Sequence, residues 1–279
     1  MLELPNVTLC ALDTRTPSLA LEAMRRSLQF VRYHAAVLLL EDPEPLREHA
    51  AALGIELIAI PRIDTLQAYS ELILRDLANW IPSEFALIIQ WDGFVLNPNC
   101  WTDEFLDYDY IGAPWPDQPA ARAVGNGGFS LRSKRLLRAM SDPAMTLSHP
   151  EDVSICHTNR ARLESEHAII FAPLELAARF SFERLPAAAP TFGFHGAFNL
   201  PAVMAPAEIA SIVKGMTSRM ARNPDARDLA LALVDAGQYA TARHLFVKWM
   251  RARSHVSEAL SWWLRTWFYD LRSRLMRRR

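Results

Sequence analysis

Carboxylates end several of the apolar segments in this sequence, and they are the first candidates for chemistry. The apolar run that begins at Phe85 closes on Asp92 and then Gly93, as a buried strand does when it leaves a sheet through a turn. Ligands of open α/β sheets bind beyond the carboxyl ends of the strands, so Asp92 is expected to face a site. The alternative is that Asp92 only forms the turn, which Asp does through bonds to nearby backbone.

Two further strand ends, at Asp13 and Asp42, also carry carboxylates. Each can contact the base or ribose of a nucleotide, and each can equally serve as a helix cap or turn former. Tyr69 lies on the predicted helix that precedes the Asp92 strand. Packing alone is a sufficient reason for a tyrosine at that position.

Glycines cluster in the segment Gly125-Asn126-Gly127-Gly128, although the whole chain has only ten of them. Glycine lets backbone approach a ligand closely, and successive exposed amides can hold anionic or hydroxyl oxygens. The segment lacks both the strand-to-helix context of a dinucleotide fingerprint and the GK[ST] ending of a Walker loop. A tight turn before the predicted strand at 129–132 is the other interpretation.

Glu151 and Asp152 follow Pro150 at a predicted helix start. Acids at that position complement the helix macrodipole, which explains them without any chemistry. The same field is expected to keep a carboxylate ionised, as a general base requires. Trp115, at the start of a polar loop, offers a flat apolar face that suits the CH surface of a sugar.

The elements that must position these residues alternate along the chain. Strands are predicted at 7–13, 36–40, 55–60 and before Asp92, with helices at 17–30, 46–53 and 66–80 between them. Such alternation is typical of right-handed crossovers that build a parallel sheet. From about Pro206 the pattern becomes helical, so we predict a first domain at 1–204 and a helical region at 205–279.

Four motifs follow the Asp92 strand end in order, and this series resembles the DUF5672 family over roughly residues 5–200: Tyr108–Trp115, Gly125–Arg132, Pro150–Cys156 and Phe192–Gly196. The resemblance implies a nucleotide-sugar glycosyltransferase of GT-A-like fold, with a mixed, mainly parallel sheet flanked by helices and a C-terminal helical extension. It places the base of an inverting enzyme at the last acid of an xED motif, which is Asp152 here, next to Glu151.

The same resemblance implies roles for the other candidates. Asp92 and a late histidine, His195, would bind Mn²⁺ or Mg²⁺, for which carboxylate, imidazole and diphosphate oxygens are suitable ligands. Trp115, Asn126 and His195 would contact the substrate, while Asp13, Asp42, Tyr69, Asp92, Gly127 and Gly128 would border the nucleotide. One position departs from the usual Asp-x-Asp pattern, because Gln90 stands where the first acid is expected.

Bulk properties exclude several classes of protein. The chain is 51% hydrophobic and 22% charged, with a formal net charge of −1, which indicates a packed globular protein with no general attraction to nucleic acid. Three widely spaced cysteines without a CxxC pattern favour a reducing compartment. No basic, apolar leader is evident at the start of the sequence, so we expect a cytoplasmic protein.

The last predicted helix, at 260–279, mixes three tryptophans with six arginines. This composition suits the surface of an anionic membrane, and a subunit interface is the alternative. The predicted function is transfer of a sugar, UDP-linked, to a hydroxyl of a glycan or glycolipid in surface polysaccharide assembly. Because Gln90 replaces an acid, the competing hypothesis is a catalytically inactive sugar- or nucleotide-binding protein with a helical interaction arm.

Overall fold

The structure, a computed structural model, describes residues 1–217, 219–252 and 256–276. The elements used below, in chain order, are β1 (Leu2–Leu12), α1 (Pro17–Leu28), β2 (Val31–Leu40), α2 (Arg47–Ala52), β3 (Glu56–Ala59), α3 (Leu66–Arg75), β4 (Phe85–Ile89), β5 (Tyr110–Gly112), β6 (Phe129–Ser133), α4 (Lys134–Ala139), α5 (Glu151–Val153), α6 (Arg160–His167), α7 (Leu174–Phe180), β7 (Ser181–Phe182), β8 (Gly193–Phe194), α8 (Leu200–Val203), α9 (Pro206–Gly215), α10 (Pro224–Asp235), α11 (Tyr239–Arg251) and α12 (Val256–Met276).

Six strands form the main sheet, in the order β3-β2-β1-β4-β6-β5. The first four are parallel to one another, and β6 runs antiparallel to both β4 and β5. The expected mixed, mainly parallel α/β sheet is therefore confirmed. Because β6 is reversed, its first residue, Phe129, pairs with the last residue of β4, Ile89. The glycine cluster before β6 thus lies at the edge where β1 to β4 end.

Alternate residues of the central strands build the core between the sheet and α3. Cys10, Val37, Ala86 and Ile88 face the same cluster as Ile73 of α3, as expected when successive side chains of a strand point to opposite faces. Burial of such apolar side chains contributes about 25 cal/mol per Å² removed from water. The core therefore fixes the strand ends, and with them the edge that carries the candidate residues.

The chain divides into two compact units, residues 1–195 and 196–279. The second begins before the predicted boundary at 204, because the turn Ala197–Asn199 and α8 pack against α10. Within this unit α10 and α11 pack together, joined by a turn in which Gly237 has φ +71°. That φ lies in the left-handed region, which glycine adopts without a Cβ penalty.

The helix α12 packs on α11 and leaves one long face exposed. None of the helices within residues 1–217, 219–252 and 256–276 has the length and apolar character to cross a membrane. The predicted helix at 260–279 is observed as Val256–Met276. Three of the arginines of that predicted helix, at 277–279, lie outside the described residues, as does the side chain of Arg274.

Candidate functional site

Asp92 is buried just beyond the end of β4, with 5% of its surface exposed. The turn that carries it is held by Gly93, whose backbone N–H donates to the Gln90 carbonyl at 3.1 Å. The Gln90 N–H in turn donates to the Gly128 carbonyl at 2.9 Å. These bonds attach the glycine cluster to the strand end, so the two motifs that the sequence singled out form one structure.

His195 lies directly against Asp92. Its Nε2 is 3.4 Å from Asp92 Oδ1 and 3.2 Å from Gln90 Oε1. Its Nδ1 is 3.1 Å from Glu183 Oε1, and the Asn126 amide lies 3.0 Å from the same nitrogen. Burial alone would lower the pKa of His195, but the charges of Asp92 and Glu183 outweigh it and raise the pKa to about 10. The surroundings of the ring thus favour a positive charge at this point.

Asp92 and His195, which were expected to bind a divalent cation, are of the residue types that can do so once the imidazole is neutral. Metal-binding histidines commonly donate their second ring nitrogen to a carboxylate, as Nδ1 is placed to do toward Glu183. Nε2 and Asp92 Oδ1 converge from two sides, with the Gln90 carbonyl oxygen beside them. Among the described residues no group of three His, Cys, Asp or Glu is arranged to hold a metal, so Asp92 and His195 fall short of a three-residue protein site.

The glycine cluster has no room for side chains. A Cβ on Gly127 would lie 2.1 Å from Glu151 Oε1, and one on Gly128 would lie 2.1 Å from His195 Nε2. Neither residue has a positive φ, whereas Asn126 has φ 59°. Close approach, and not an unusual backbone conformation, therefore requires glycine at 127 and 128. Asn126 also accepts a bond from the Phe129 N–H through Oδ1 at 3.3 Å.

Asp152 lies on the other side of the glycine cluster. Its Oδ2 accepts the Gly127 N–H at 3.0 Å, and its Oδ1 accepts the Val153 N–H at 2.8 Å. Burial and the neighbouring carboxylate of Glu151 raise the pKa of Asp152 above its ordinary value, although both backbone bonds oppose the rise. The sequence-based expectation that a helix field favours the ionised carboxylate stays a prediction, because burial and the Glu151 charge act against that field. The α-helix here is only three residues long and passes into a π-helical turn at Ser154–Thr158, so the macrodipole is small.

Glu151 is paired with a buried arginine. Arg132, on β6, has none of its surface exposed, and its Nη2 lies 3.2 Å from Glu151 Oε1. The guanidinium also donates to Ser130 Oγ at 3.0 Å and to the Gly127 carbonyl at 3.4 Å. One buried cation therefore connects Glu151 to the backbone of the glycine cluster.

Substitution of Arg132 by methionine is expected to lower the free energy of unfolding by about 3–5 kcal/mol, because it leaves the Glu151 carboxylate buried without its partner. The double variant Arg132→Met/Glu151→Gln should recover part of this loss, since no unpaired charge then remains. Urea denaturation followed by circular dichroism measures both. Arg47→Met, in the exposed Arg47–Glu44 pair, is the matched control and should change little. Equal stability of Arg132→Met and the wild type would show that the buried pair has no such role.

The remaining nucleotide candidates differ in their surroundings. Asp13 Oδ1 accepts the N–H groups of Arg15 and Thr16, both at 2.7 Å, and the exposed Asp42 accepts the Glu44 N–H at 3.1 Å. These are the bonds of turn formers, the alternative that the sequence left open for both acids. Tyr69, by contrast, is joined to the site, because its hydroxyl accepts a bond from Gln90 Nε2 at 3.1 Å.

Trp115 lies beyond β5 at the same edge of the sheet. Its ring stacks on His157, with centroids 5.0 Å apart and an interplanar angle of 27°. Gly125 packs so closely against it that an added Cβ would lie 2.2 Å from the indole. The structure therefore joins Trp115 to the glycine cluster as well.

Sequence reasoning missed three residues of this site: Glu183, Arg132 and His157. Glu183 belongs to no recognisable motif, and it reaches His195 only because β7 and β8 pair side by side. Arg132 offered one usable signal. Arg132 and Ser130 lie at alternate positions of the strand Phe129–Ser133. Because an arginine inside an apolar sheet needs a buried partner, the strand pattern alone indicates such a pair.

Three solved structures are reported as similar to this chain, and the first of them is a glycosyltransferase. The apo form of GlyE from Streptococcus pneumoniae TIGR4 has a TM-score of 0.43 and 13% identity, covering 68% of this chain and 54% of that one. Glucosyl-3-phosphoglycerate synthase from Mycobacterium tuberculosis, in complex with Mn²⁺, uridine diphosphate and glucosyl-3-phosphoglycerate, has a TM-score of 0.33 and 13% identity, covering 46% and 57%. TarS 1–349 from S. aureus has a TM-score of 0.39 and 10% identity, covering 88% and 78%.

This chain spans just over half the length of the first two structures. At such scores the likeness does not extend to individual residues. No curated protein matches the chain. The model of the family described as "Protein of unknown function (DUF5672)" matches residues 53–195, slightly more than half of the sequence, and includes Asp92, the glycine cluster, Asp152 and His195. The chain belongs to the DUF5672 family.

Proposed function

We propose that this protein is a glycosyltransferase that moves a sugar from a nucleoside diphosphate, UDP, to a hydroxyl of a glycan or glycolipid acceptor in surface polysaccharide assembly. Asp152 is the general base of this reaction, which inverts the anomeric carbon. One observation carries the proposal. Asp152 accepts the Gly127 N–H, and His195, which pairs with Asp92, packs against Gly128, so the two groups meet the same two-residue segment.

Asp152 has the properties that a base for a hydroxyl needs. Both of its oxygens accept backbone N–H groups, which hold the carboxylate in one orientation while leaving lone pairs for a proton. Its raised pKa brings the carboxyl closer to neutral pH, where a base accepts a proton more readily. Glu151 is held by Arg132 and acts by raising the proton affinity of its neighbour.

Asp92 and His195 form the donor side of the site. They would hold Mn²⁺ or Mg²⁺, whose charge stabilises the negative charge that develops on a leaving diphosphate. Glu183 orients the His195 ring through Nδ1, and Gln90 positions its side chain between Tyr69 and His195. The glycines bring backbone rather than side chains to the space between donor and base.

A thermal-shift panel of nucleotides and nucleotide sugars, with and without Mn²⁺, tests the proposal. A ligand at one hundred times its Kd adds about 2.7 kcal/mol to stability. The wild type should be stabilised by a uridine nucleotide, and more so with Mn²⁺, whereas Asp92→Ala should keep its fold and lose this response. Asp107→Ala, at an exposed position, is the control. An undiminished response of Asp92→Ala would remove Asp92 from the site.

The second candidate function is an inactive sugar- or nucleotide-binding protein, favoured by Gln90 in place of an acid. Both functions predict nucleotide binding, but only the enzyme releases free nucleoside diphosphate from a nucleotide sugar. Chromatographic assay of that release, for every donor that stabilises the wild type, separates them. Binding without any release would favour the inactive protein.

The proposed partner of α12 is the anionic inner face of a membrane. A cytoplasmic enzyme bound there would meet a glycolipid acceptor. Six large apolar side chains of this helix are 45–64% exposed: Leu260, Leu264, Trp267, Phe268, Leu271 and Leu275. They recur at helical spacing and form one stripe. The exposed Arg265 and Arg272 lie beside the stripe, as in helices that bind at the headgroup level.

A further inference from the structure

An open groove of about 740 Å³ lies beside the site, with Trp115, Val153, His157 and Glu183 among its lining residues. All of its lining residues belong to the first compact unit. The side chains of Val153 and His157 have no part in the proposed roles of the donor side and the base. The groove therefore offers a binding surface that the proposed chemistry does not yet use.

One wall of the groove is aromatic and held in place. Trp115 contacts Gly125 and stacks on His157, and the partly exposed side chain of Val153 continues the apolar surface. Burial, helped by the charges of Arg122 and Arg160, lowers the pKa of His157, so the imidazole that stacks on Trp115 is uncharged at neutral pH. This wall suits the CH face of a pyranose ring.

Polar groups line the remainder of the groove. Asp117, Gln118, Glu183 and Arg184 supply carboxylate, amide and guanidinium groups around the same space. Carboxylates and amides accept hydrogen bonds from hydroxyls, and amide and guanidinium groups donate them. An apolar wall opposed by such groups is the usual composition of a site for an amphipathic small molecule. A sugar ring, which has CH faces and hydroxyl edges, fits this division.

The groove reaches both halves of the site. Val153 is next to Asp152 in sequence and donates its N–H to Asp152 Oδ1 at 2.8 Å. At the other end Glu183, which lines the groove, contacts His195 Nδ1 at 3.1 Å. A molecule in the groove therefore lies alongside the base and close to the donor side.

We propose that this groove binds the acceptor through a pyranose ring placed against Trp115 and His157, an inference that rests on the proposed transfer reaction. A hydroxyl of that ring faces Asp152. Its oxygen forms the bond to the anomeric carbon of the donor, and its proton passes to the Asp152 carboxylate. The bond between the anomeric carbon and the diphosphate oxygen breaks, and the electron pair leaves with the diphosphate.

Binding can be tested without catalysis by saturation-transfer NMR with methyl glucoside, galactoside and mannoside. The wild type should transfer saturation to at least one of them, and Trp115→Ala and His157→Ala should each weaken that transfer. Ile170→Ala, an exposed apolar position outside the groove, should not. Because Trp115 also packs on Gly125, Trp115→Phe serves as a second variant and should retain partial binding. Absence of transfer to all three glycosides, or equal transfer in all variants, would overturn the inference.

Kinetics separate this inference from the proposed function. With a p-nitrophenyl glycoside as acceptor, Trp115→Ala and His157→Ala should each lose about tenfold or more in kcat/KM, whereas Ile170→Ala, outside the groove, should keep the wild-type value. A wild type with no donor turnover and no nucleotide response contradicts the proposed function, and the NMR result still decides the groove. Unchanged acceptor kcat/KM in both Trp115→Ala and His157→Ala contradicts the acceptor site alone.

Discussion

Substitution of Asp152 by asparagine is expected to reduce kcat by about 10² or more, the usual scale for loss of a general base. The amide oxygen can still accept one of the two backbone N–H groups, that of Gly127 or of Val153, so the loop and the donor affinity should stay close to those of the wild type. Only the capacity to take a proton is lost. In the wild type kcat should fall as the pH drops through the raised pKa of Asp152, because the protonated carboxyl is inactive, and this dependence should be missing in the variant.

Stability provides a second measurement on the same protein. The folded-state pKa of Asp152 is raised, so the folded protein binds this proton more tightly than the unfolded chain. Such a group makes folding less favourable as the pH rises through the two pKa values. Asp152→Asn should therefore be at least as stable as the wild type at neutral pH. A loss of stability with full turnover would mean that Asp152 is only structural, and Asp107→Asn is the exposed control.

Binding of the wild type to vesicles that contain anionic lipid is the second large effect, and the double variant Phe268→Glu/Leu271→Glu should abolish it. Phe268 is 64% and Leu271 58% exposed, so glutamate at both positions should leave the fold intact while it repels anionic headgroups. Each arginine near the surface contributes about 1 kcal/mol, and high salt should therefore weaken binding. A flotation assay at two salt concentrations measures this.

Point substitutions are preferable to removal of the helix, because α12 packs on α11. Asp270 pairs with Arg243 at 3.0 Å, and Thr266 is fully buried, so truncation would expose the core of the second unit. Leu66→Glu, equally exposed but on α3, is the matched control for flotation. If the wild type ignores every vesicle and light scattering shows a dimer that the double variant dissociates, the stripe is a subunit interface instead.

The sequence predicted the parallel strands well where they are continuous apolar runs, as before Asp92. It missed the first part of β2, at 31–35, because Arg32 and His34 interrupt the apolar residues there. The structure shows strict alternation, with Val31 and Tyr33 buried and the two polar side chains exposed. A search for period-two alternation would have found this segment.

The candidate site was predictable as far as strand ends and glycine spacing allowed. Asp92, the glycine cluster, Asp152 and His195 are brought to one edge, as expected. What the sequence could not supply is the charge balance between residues that are distant along the chain. Glu183 pairs with His195 and Arg132 pairs with Glu151, and neither interaction follows from local spacing.

The space around Gly127 and Gly128 also limits how this chain could acquire a preference for a different sugar. Each glycine is in contact with a side chain that the proposed reaction requires, Glu151 on one side and His195 on the other. Neither neighbour can be shortened to make room without loss of that role. A larger or smaller donor would therefore have to be accommodated from the opposite wall, where Tyr69 reaches Gln90. Selection for new donors in such a chain would act on α3 and leave the loop unchanged.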